Sequence, residues 1–283
     1  MKATGSPPSR LWRRIAGVQG LVLVGLIVWD GADRVPADAS RPLVVVPASA
    51  PFQPLGETLR LASFNIHSGK GHDGQVDLQR TEQRLAESDV AGLYEVRNSP
   101  WNGDVHQGID LGRRLGMASV FAATERHWWR EHFGNALLSR VPLDAVQRLP
   151  LPGTRGKAYR AAVLAHIPWQ GKTLHLIAVH VDRGGDRESQ LKLLIPLFRA
   201  LETPAILMGD LNTPASDPHL AALLQDPEVR SPLHEKLTST LPAANIDWIF
   251  TRGLETVSAE LVENDASDHP VARAVLRLPG STP

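Results

Sequence analysis

The chain has 283 residues, 42% of them hydrophobic, and its 30 basic and 30 acidic side chains give a formal net charge of zero at pH 7. The first 55 residues hold six Lys or Arg and three Asp, which leaves 24 basic and 27 acidic side chains in the remainder. The slight acidic excess of residues 56–283 does not favour non-specific binding to duplex nucleic acid. The sequence has no Cys, which excludes disulfides, thiolate zinc sites and cysteine nucleophiles.

Residues 1–29 have the pattern of a signal anchor or a signal peptide. Basic residues ending in Arg13 and Arg14 precede an apolar run from Ile15 to Trp29. The basic flank predicts a cytoplasmic N-terminus. The rest of the chain would then lie in the periplasm, held at the inner membrane by a single pass or released by cleavage. The run is short for a span, which usually needs about 17–25 residues. Trp29 as an interfacial aromatic favours the anchor, a weak cleavage pattern at Ala37–Ala39 supports a signal peptide, and a buried helix is a third alternative.

Residues 30–56 are predicted to be a linker. The stretch is rich in Pro, Ala and Ser and has no helical period. Such a composition favours an extended, semi-rigid spacer. The apolar residues 43–46 could add a short edge strand, but the prolines on both sides argue against a central one.

Residues 57–283 have the pattern of an α/β catalytic domain. Helices are predicted over 77–89 and 187–201 from the spacing of apolar residues. Strands are predicted over 58–67, 90–96, 135–143, 160–167, 172–181, 204–210, 245–252 and 269–278. Because strands outnumber helices and several follow one another directly, two packed mixed sheets with outer helices are favoured over one parallel sheet.

Polar side chains occur at the ends of many of these strands. One such residue is usually a cap or a turn, but their number calls for a common explanation. The residues are Asn65, Glu95, His180, Asp210, Asn212, Asp247, Asp268 and His269. If neighbouring layers deliver their strand ends to one rim, these side chains can converge. Carboxylates without thiolates are suited to Mg²⁺ or Mn²⁺ rather than to structural zinc.

The residue types indicate phosphoester chemistry. Glu95 and a further carboxylate could hold a divalent cation that neutralises a phosphate oxygen. Adjacent strand residues point to opposite faces, so Asp268 is poorly placed to orient its neighbour His269. Asp247, from another strand, is the better partner, and the pair could deprotonate a water. Asp210 and Asn212 lie two residues apart, on one face of an extended chain, so both side chains can contact the phosphoryl group from the same side.

Seven segments in this order resemble the endonuclease/exonuclease/phosphatase superfamily, as a bacterial membrane-associated member. They are SFNIH, YEV, GNALLSR, VHVD, MGDLN, IDWIF and SDHPV. The resemblance covers about residues 58–278. It implies a four-layered α/β/β/α sandwich and Mg²⁺-dependent phosphoester hydrolysis by in-line attack of water.

The resemblance also implies roles for individual residues. Asn65, Glu95 and Asp268 match metal-site positions, and His269 matches the general base with Asp247 as its partner. Asp210 and Asn212 match residues that position the phosphate and the leaving group, and His180 matches a residue that stabilises the transition state. Three positions depart from the common pattern: Tyr94 replaces a Gln, VHVD lacks the usual Asn, and His67 stands where some nucleases carry a carboxylate.

Three further segments could contact substrate. Residues 125–135 hold Trp128 and Trp129 among Arg and His, and could bind a lipid headgroup, a base or a bilayer. The Gly-rich segment 68–74 could contact phosphate. The basic residues Arg160, Arg183 and Arg187 could lie near the site. Each segment has an ordinary structural explanation as well, as an anchored loop, a turn or a solvated helix start.

The sequence therefore predicts a monomeric, metal-dependent phosphodiesterase or phosphatase that acts on small or lipid-linked phosphodiesters at the inner membrane. The alternatives are a Mg²⁺-dependent endonuclease or exonuclease on DNA or RNA, and a catalytically silent binding module of the same fold. A silent module should have lost one of Glu95, Asp210 or His269, and all three are present.

Overall fold

The computed structural model of the protein describes residues 15, 17–26, 35–37, 40–52, 54–99, 105–127, 130–153 and 159–280. Its strands are β1 (Val35–Pro36), β2 (Val45–Val46), β3 (Thr58–Asn65), β4 (Val90–Ser99), β5 (Val105–His106), β6 (Ala118–His127), β7 (Arg130–Ser139), β8 (Ala145–Pro150), β9 (Ala161–Trp169), β10 (Lys172–His180), β11 (Ala205–Asp210), β12 (Asp247–Arg252), β13 (Glu255–Val262) and β14 (Val271–Arg277). Its helices are α1 (Leu78–Leu85), α2 (Gln107–Leu115), α3 (Arg187–Ala200), α4 (Pro218–Leu224) and α5 (Pro232–Leu237). Residues 17–26 are also helical. Among the described residues, none of the helices has the length and hydropathy to cross a membrane.

The strands form two mixed sheets, as the pattern of adjacent strands predicted. Over the described residues the larger sheet has the order β1-β6-β7-β4-β3-β14-β13, with β2 also paired to β6 and β5 to β4. The smaller sheet has the order β12-β11-β10-β9-β8. β3 runs parallel to β4 and β10 runs parallel to β11, whereas the other pairs are antiparallel.

A hydrophobic core lies between the sheets, and helices cover both outer faces. Leu61 of β3 and Met208 of β11 belong to the central core. Phe198 of α3 packs on the smaller sheet, and Leu85 of α1 and Leu111 of α2 pack on the larger one. Because alternate strand residues point to opposite faces, each sheet contributes to two cores. The fold is thus the four-layered α/β/β/α sandwich that the family resemblance implied.

Among the strands longer than two residues, three occur in segments where the sequence pattern predicts none: β6, β8 and β13. The β13 side chains are half-buried or exposed on both faces, so that the alternation that marks a strand is faint. The strand predicted over 135–143 begins earlier, at Arg130, and ends at Ser139. There the hydroxyl of Ser139 donates a hydrogen bond of 2.7 Å to the carbonyl of Val141 and the chain turns.

The segment that precedes the sandwich is partly attached to it. Val35–Pro36 and Val45–Val46, within the predicted linker, pair with β6 at the edge of the larger sheet. The second pair is the edge strand that the sequence allowed. The predictions on Arg13, Arg14, Trp29, Trp128 and Trp129 fall outside the described residues.

Candidate active site

Strands of both sheets end at one rim, where the polar residues collect. Asn65 ends β3, His180 ends β10 and Asp210 ends β11. His180 pairs with Asp210 across the parallel strands, and Asp210 pairs with Asp247 at the start of β12. Three neighbouring strands thus present His180, Asp210 and Asp247 side by side. The convergence that the sequence predicted is present.

Asn65 connects the two sheets at this rim. Its Nδ2 donates hydrogen bonds to Oδ2 of Asp210 at 3.0 Å and to Oε1 of Glu95 at 3.3 Å. Its Oδ1 accepts from the backbone N–H of His67 at 3.0 Å. One buried amide therefore fixes a carboxylate from each sheet, which makes Asn65 a positioning residue whatever else it binds.

Glu95 has a strained backbone. It lies in β4 between Leu93 and Val96, where the register with β7 shifts, and its φ is 57°. Non-glycine residues in the left-handed region cost about 1–3 kcal/mol and cluster at functional sites. The bulge breaks the alternation of the strand at this residue. We infer that it directs the carboxylate toward Asn65 and the rim.

His269 is held between two buried carboxylates. Its Nδ1 lies 2.9 Å from Oδ2 of Asp247, and its Nε2 lies 3.8 Å from Oδ2 of Asp210. Burial lowers the pKa of His269, but the hydrogen bond to Asp247 and the charges of Asp247, Asp210 and Asp268 outweigh it and raise the pKa to about 9. The Asp247–His269 partnership argued from strand geometry is therefore present in the fold.

Asp210 lies at the centre of the cluster. Burial and the nearby charge of Asp247 raise its pKa to about 6, although His269, Asn65 and the backbone N–H of Asn212 favour the charged form. The pKa of Asp247 is raised too, by burial, against the effect of His269. Two buried carboxylates and one imidazole therefore compete for protons, which is the electrostatic setting of proton-transfer sites.

His180 is buried and neutral. Burial, then the charges of Arg160 and His269, put its pKa well below the usual value. Nη1 of Arg160 lies 3.3 Å from Nδ1 of His180, and a guanidinium can only donate, so Nδ1 accepts. The ring proton is thus on Nε2, which lies 3.3 Å from Oδ2 of Asp210 and 3.2 Å from Nδ2 of Asn212, and of these two only the carboxylate can accept it. Nδ2 of Asn212 donates to the carbonyl of Val181 at 3.0 Å beside this ring.

Asp268 lies on the solvent side of the cluster. Its side chain is 55% exposed, and its Oδ1 lies 3.3 Å from Nδ1 of His67. The hydroxyl of Ser267 donates to the backbone carbonyl of Asn65 at 2.7 Å and ties this loop to β3. The other seven predicted residues form one connected set of contacts, whereas Asp268 joins it through its neighbours. The roles of Asn65, Glu95 and Asp268 as metal ligands stay predictions.

The chemistry of the donor set fits a hard divalent cation. Ligand atoms of Asp210, Asp247 and His269 all lie within 4.8 Å of one another. Oδ1 of Asp247 is buried and has no hydrogen-bond partner among the described residues. An orphaned buried carboxylate oxygen beside a second carboxylate is costly without a proton or a cation. Asn65 connects this group to Glu95, the carboxylate that the sequence indicated as a metal ligand, because its amide binds both Asp210 and Glu95.

Several supporting contacts join residues that no sequence motif connects. The buried hydroxyl of Tyr94, at the position that departs from the family pattern, lies 3.1 Å from Oγ of Ser63 and donates to the carbonyl of Met208 at 3.2 Å. It therefore joins the two sheets beneath the rim. Nη1 of Arg187 donates to the carbonyl of Asn212 at 3.1 Å. Among the three basic candidates, Arg160 and Arg187 thus reach site residues.

The Gly-rich segment 68–74 supports the loop that carries Asp268 and His269. A Cβ at Gly71 would lie 2.4 Å from the carbonyl of Asp265, so only glycine permits this approach. Arg80 binds Asp73 at 2.7 Å, and Arg84 binds Asp265 at 3.2 Å. These contacts explain Gly71 by packing, without a phosphate.

Comparisons with known proteins agree with this geometry. A sequence profile described as the Endonuclease/Exonuclease/phosphatase family matches residues 62–269, a range that begins in β3 and ends at His269. The chain belongs to this family. Its members are generally hydrolases of phosphoesters. No curated protein matches the chain.

Solved structures of the family share the fold. An endonuclease/exonuclease/phosphatase from Beutenbergia cavernae is 22% identical, with a TM-score of 0.63, 80% of this chain and 72% of that chain covered. A mannosyl-6-phosphatase of Bacteroides thetaiotaomicron is 18% identical, with a TM-score of 0.63 and coverage of 77% and 99%. The human Nocturnin catalytic domain is 16% identical, with a TM-score of 0.56 and coverage of 84% and 100%. At these identities the likeness establishes the fold.

Proposed function

We propose that the protein is a divalent-metal-dependent phosphodiesterase that acts on small or lipid-linked phosphodiesters. The observation that carries the proposal is the connected array of His269, Asp247 and Asp210, joined through Asn65 to Glu95. It places an Asp–His pair beside a buried carboxylate and, through Asn65, beside the carboxylate of Glu95, within a phosphoester-hydrolase family.

Each side chain of the array has a different role in the proposed reaction. Asp247 holds the Nδ1–H of His269. Once the ring has lost its Nε2 proton, as it does above its pKa of about 9 in the metal-free fold, Nε2 can take a proton from the attacking water. Arg160 donates to Nδ1 of neutral His180 and so keeps the ring proton on Nε2, beside Asp210. This proton would reach a phosphoryl oxygen only when substrate displaces the contact with Asp210. Asn65 and Glu95, with Asp210 or Asp268, would hold Mg²⁺ or Mn²⁺. When bound, such a cation neutralises phosphate charge.

The charge of the chain and its aromatic residues favour small or lipid-linked phosphodiesters as substrates. The body after residue 55 carries three more acidic than basic side chains, which does not favour long polyanions. Trp128 and Trp129 are suited to a headgroup or a membrane surface. The N-terminal segment would keep the enzyme at the periplasmic face of the inner membrane as a monomer.

Metal dependence is tested with protein stripped by EDTA and assayed on bis-p-nitrophenyl phosphate. Adding Mg²⁺ or Mn²⁺ should restore turnover. Glu95→Gln should lower kcat by about 10²-fold or more while the melting temperature is kept. Glu228→Gln, whose side chain is 73% exposed and pairs with Arg252, is the matched control and should keep full activity. Full turnover in excess EDTA would reject the proposal.

The substrate class is tested with phospholipids, inositol phosphates and plasmid DNA in the presence of Mg²⁺. Lipid or headgroup diesters should be hydrolysed at least as fast as duplex DNA. Trp128→Ala combined with Trp129→Ala should reduce lipid turnover far more than turnover of the chromogenic diester. Rapid nicking of plasmid at moderate salt, without hydrolysis of any lipid or headgroup, would instead identify a nuclease.

A further inference from the structure

The N-terminal chain joins the sandwich at the same end as the candidate active site. Val35 of β1 pairs with Arg126, and the backbone N–H of Ala37 donates to the carbonyl of Thr124 at 3.1 Å. This is the C-terminal end of β6. It lies at the rim because β6 and β7 pair with each other and Gly134 of β7 lies opposite Val96, one residue after Glu95.

The chain between the apolar helix and this rim is short. The described helix extends to residue 26, and β1 begins at Val35, nine residues later. Fully extended, nine residues span about 30 Å. A domain of this size is roughly 45 Å across. Because the chain between the helix and β1 is shorter than the domain, the rim must lie close to whatever holds the helix. The opposite end of the strands lies farther from it.

A lipid bilayer is the occupant that fits the apolar helix. Val18, Leu21 and Leu23 are 61%, 74% and 59% exposed. Exposed contiguous apolar surface of this kind marks a contact with a partner or a membrane. Basic residues precede the helix in the sequence, as they do in membrane-inserted segments.

We propose that the catalytic rim faces the bilayer that holds the N-terminal segment, and that the substrate is the phosphoester headgroup of a lipid in that same leaflet. The inference rests on the proposed function for the chemistry, whereas its geometry rests on the β1–β6 pairing, the short connection before β1 and the exposed apolar helix. Hydrolysis would then occur within the surface to which the enzyme is attached, without release of the enzyme into solution.

Orientation can be measured directly because the sequence has no Cys. A single cysteine is introduced by His72→Cys, in the exposed loop after Asn65, or by Lys172→Cys, at the start of β10. Lys172 lies at the opposite end of the strand from His180, about 27 Å away. Each variant is labelled with a donor fluorophore and reconstituted in vesicles that carry an acceptor on the lipid headgroup.

Energy transfer should be at least twice as efficient from position 72 as from position 172. Equal transfer, stronger transfer from position 172, or failure of the full chain to associate with the vesicles would overturn the proposal. These outcomes do not depend on turnover, so they remain decisive if no phosphoester is hydrolysed and the proposed function fails.

The link to substrate is tested with a rigid helical spacer of about 40 residues, roughly 60 Å long, inserted after Gly31. Turnover of a lipid phosphodiester in the same vesicle should fall at least tenfold, whereas turnover of bis-p-nitrophenyl phosphate should stay within twofold. The same spacer placed after Gly280 is the matched control and should change neither rate. Unchanged lipid turnover with the N-terminal spacer would contradict the same-leaflet assignment.

Discussion

At the scale of single residues, two histidines at the rim take opposite protonation states because their neighbours differ. His269 hydrogen-bonds to Asp247 and lies near Asp210, and its pKa is raised to about 9. His180 is fully enclosed and accepts from Arg160, and its pKa is lowered well below the usual value. The carboxylates thus favour a charged ring at His269, and burial beside a guanidinium favours a neutral donor at His180.

If Asp247 acts by orienting His269, the two residues should behave as one unit. Asp247→Asn and His269→Ala should each lower kcat/KM by a similar factor, about 10²–10⁴-fold, and the double variant should lose little more than either. Asp226→Asn, at a half-buried carboxylate that pairs with Arg199 outside the site, is the control that should retain activity. Losses that multiply in the double variant would mean that the residues act independently.

The charged state of His269 should also be visible in stability. A pKa raised from 6.5 to about 9 in the fold stabilises the protein fully below pH 6.5, and this contribution is lost as pH rises through 9. In EDTA, the free energy of unfolding from urea titrations should therefore fall by up to about 3 kcal/mol between pH 6.5 and 9. His269→Gln should lack most of this fall. An equal fall in the variant would show that other groups cause it.

At the scale of secondary-structure elements, the parallel pair β10 and β11 sets the geometry of the site. Gly209 lies opposite Val179, and the next pair in the register is His180 and Asp210. A Cβ at Gly209 would lie 1.9 Å from the carbonyl of Val179, so the two strands approach more closely than any side chain allows. The strand end that presents Asp210 thus depends on a residue with no side chain of its own.

Gly209→Ala should force β10 and β11 apart beside the site. We expect a loss of about 1–3 kcal/mol in the free energy of unfolding, as for overpacked cores, and a loss of activity in the protein that remains folded. Urea denaturation and turnover of a soluble diester measure the two effects. Gly56→Ala is the control, since a Cβ there has nothing within 4 Å. A Gly209→Ala protein of wild-type stability and activity would contradict the argument.

At the scale of the whole molecule, the chain that precedes the sandwich is attached to the edge of the larger sheet. The basic residues Arg13 and Arg14 precede the apolar run and predict a cytoplasmic N-terminus. The pairing of β1 and β2 with β6 attaches the following chain to the larger sheet, so the free connection is shorter than the 27 residues of the predicted linker. If the N-terminal segment is held in the membrane, as we propose, the length of this connection limits how the sandwich is oriented.

Reporter fusions after residue 56 test the location. Alkaline phosphatase, which needs the periplasm to become active, should be active at this junction, and a fluorescent protein that folds only in the cytoplasm should be dark. The physical reason is the retention of the basic flank on the cytoplasmic side. A fusion point after residue 9, before the apolar run, is the matched control and should give the opposite pattern. Active phosphatase at residue 9 and bright fluorescence at residue 56 would reject the assignment.

The residue types, the strand ends and, from them, the fold class could be predicted from the sequence alone. Asp247 could be chosen as the partner of His269 because neighbouring strand residues point apart, which is a local property of extended chain. Helix α1 followed from the helical spacing of Leu78, Thr81 and Leu85, although it ends at Leu85, before the predicted end at residue 89. These inferences succeeded because each depends on residues close in sequence, or on family segments that occur in the same order along the chain.

Which strand ends meet, and at what distance, depends on the tertiary fold. Asn65 binds Asp210 across 145 positions of sequence, because β3 and β11 come from different sheets that stack face to face. The contact of Arg160 with His180 and the entry of Val35 beside Arg126 depend likewise on sheet register and strand order. A local pattern contains no information on how two sheets stack, and packing of the shared core fixes it.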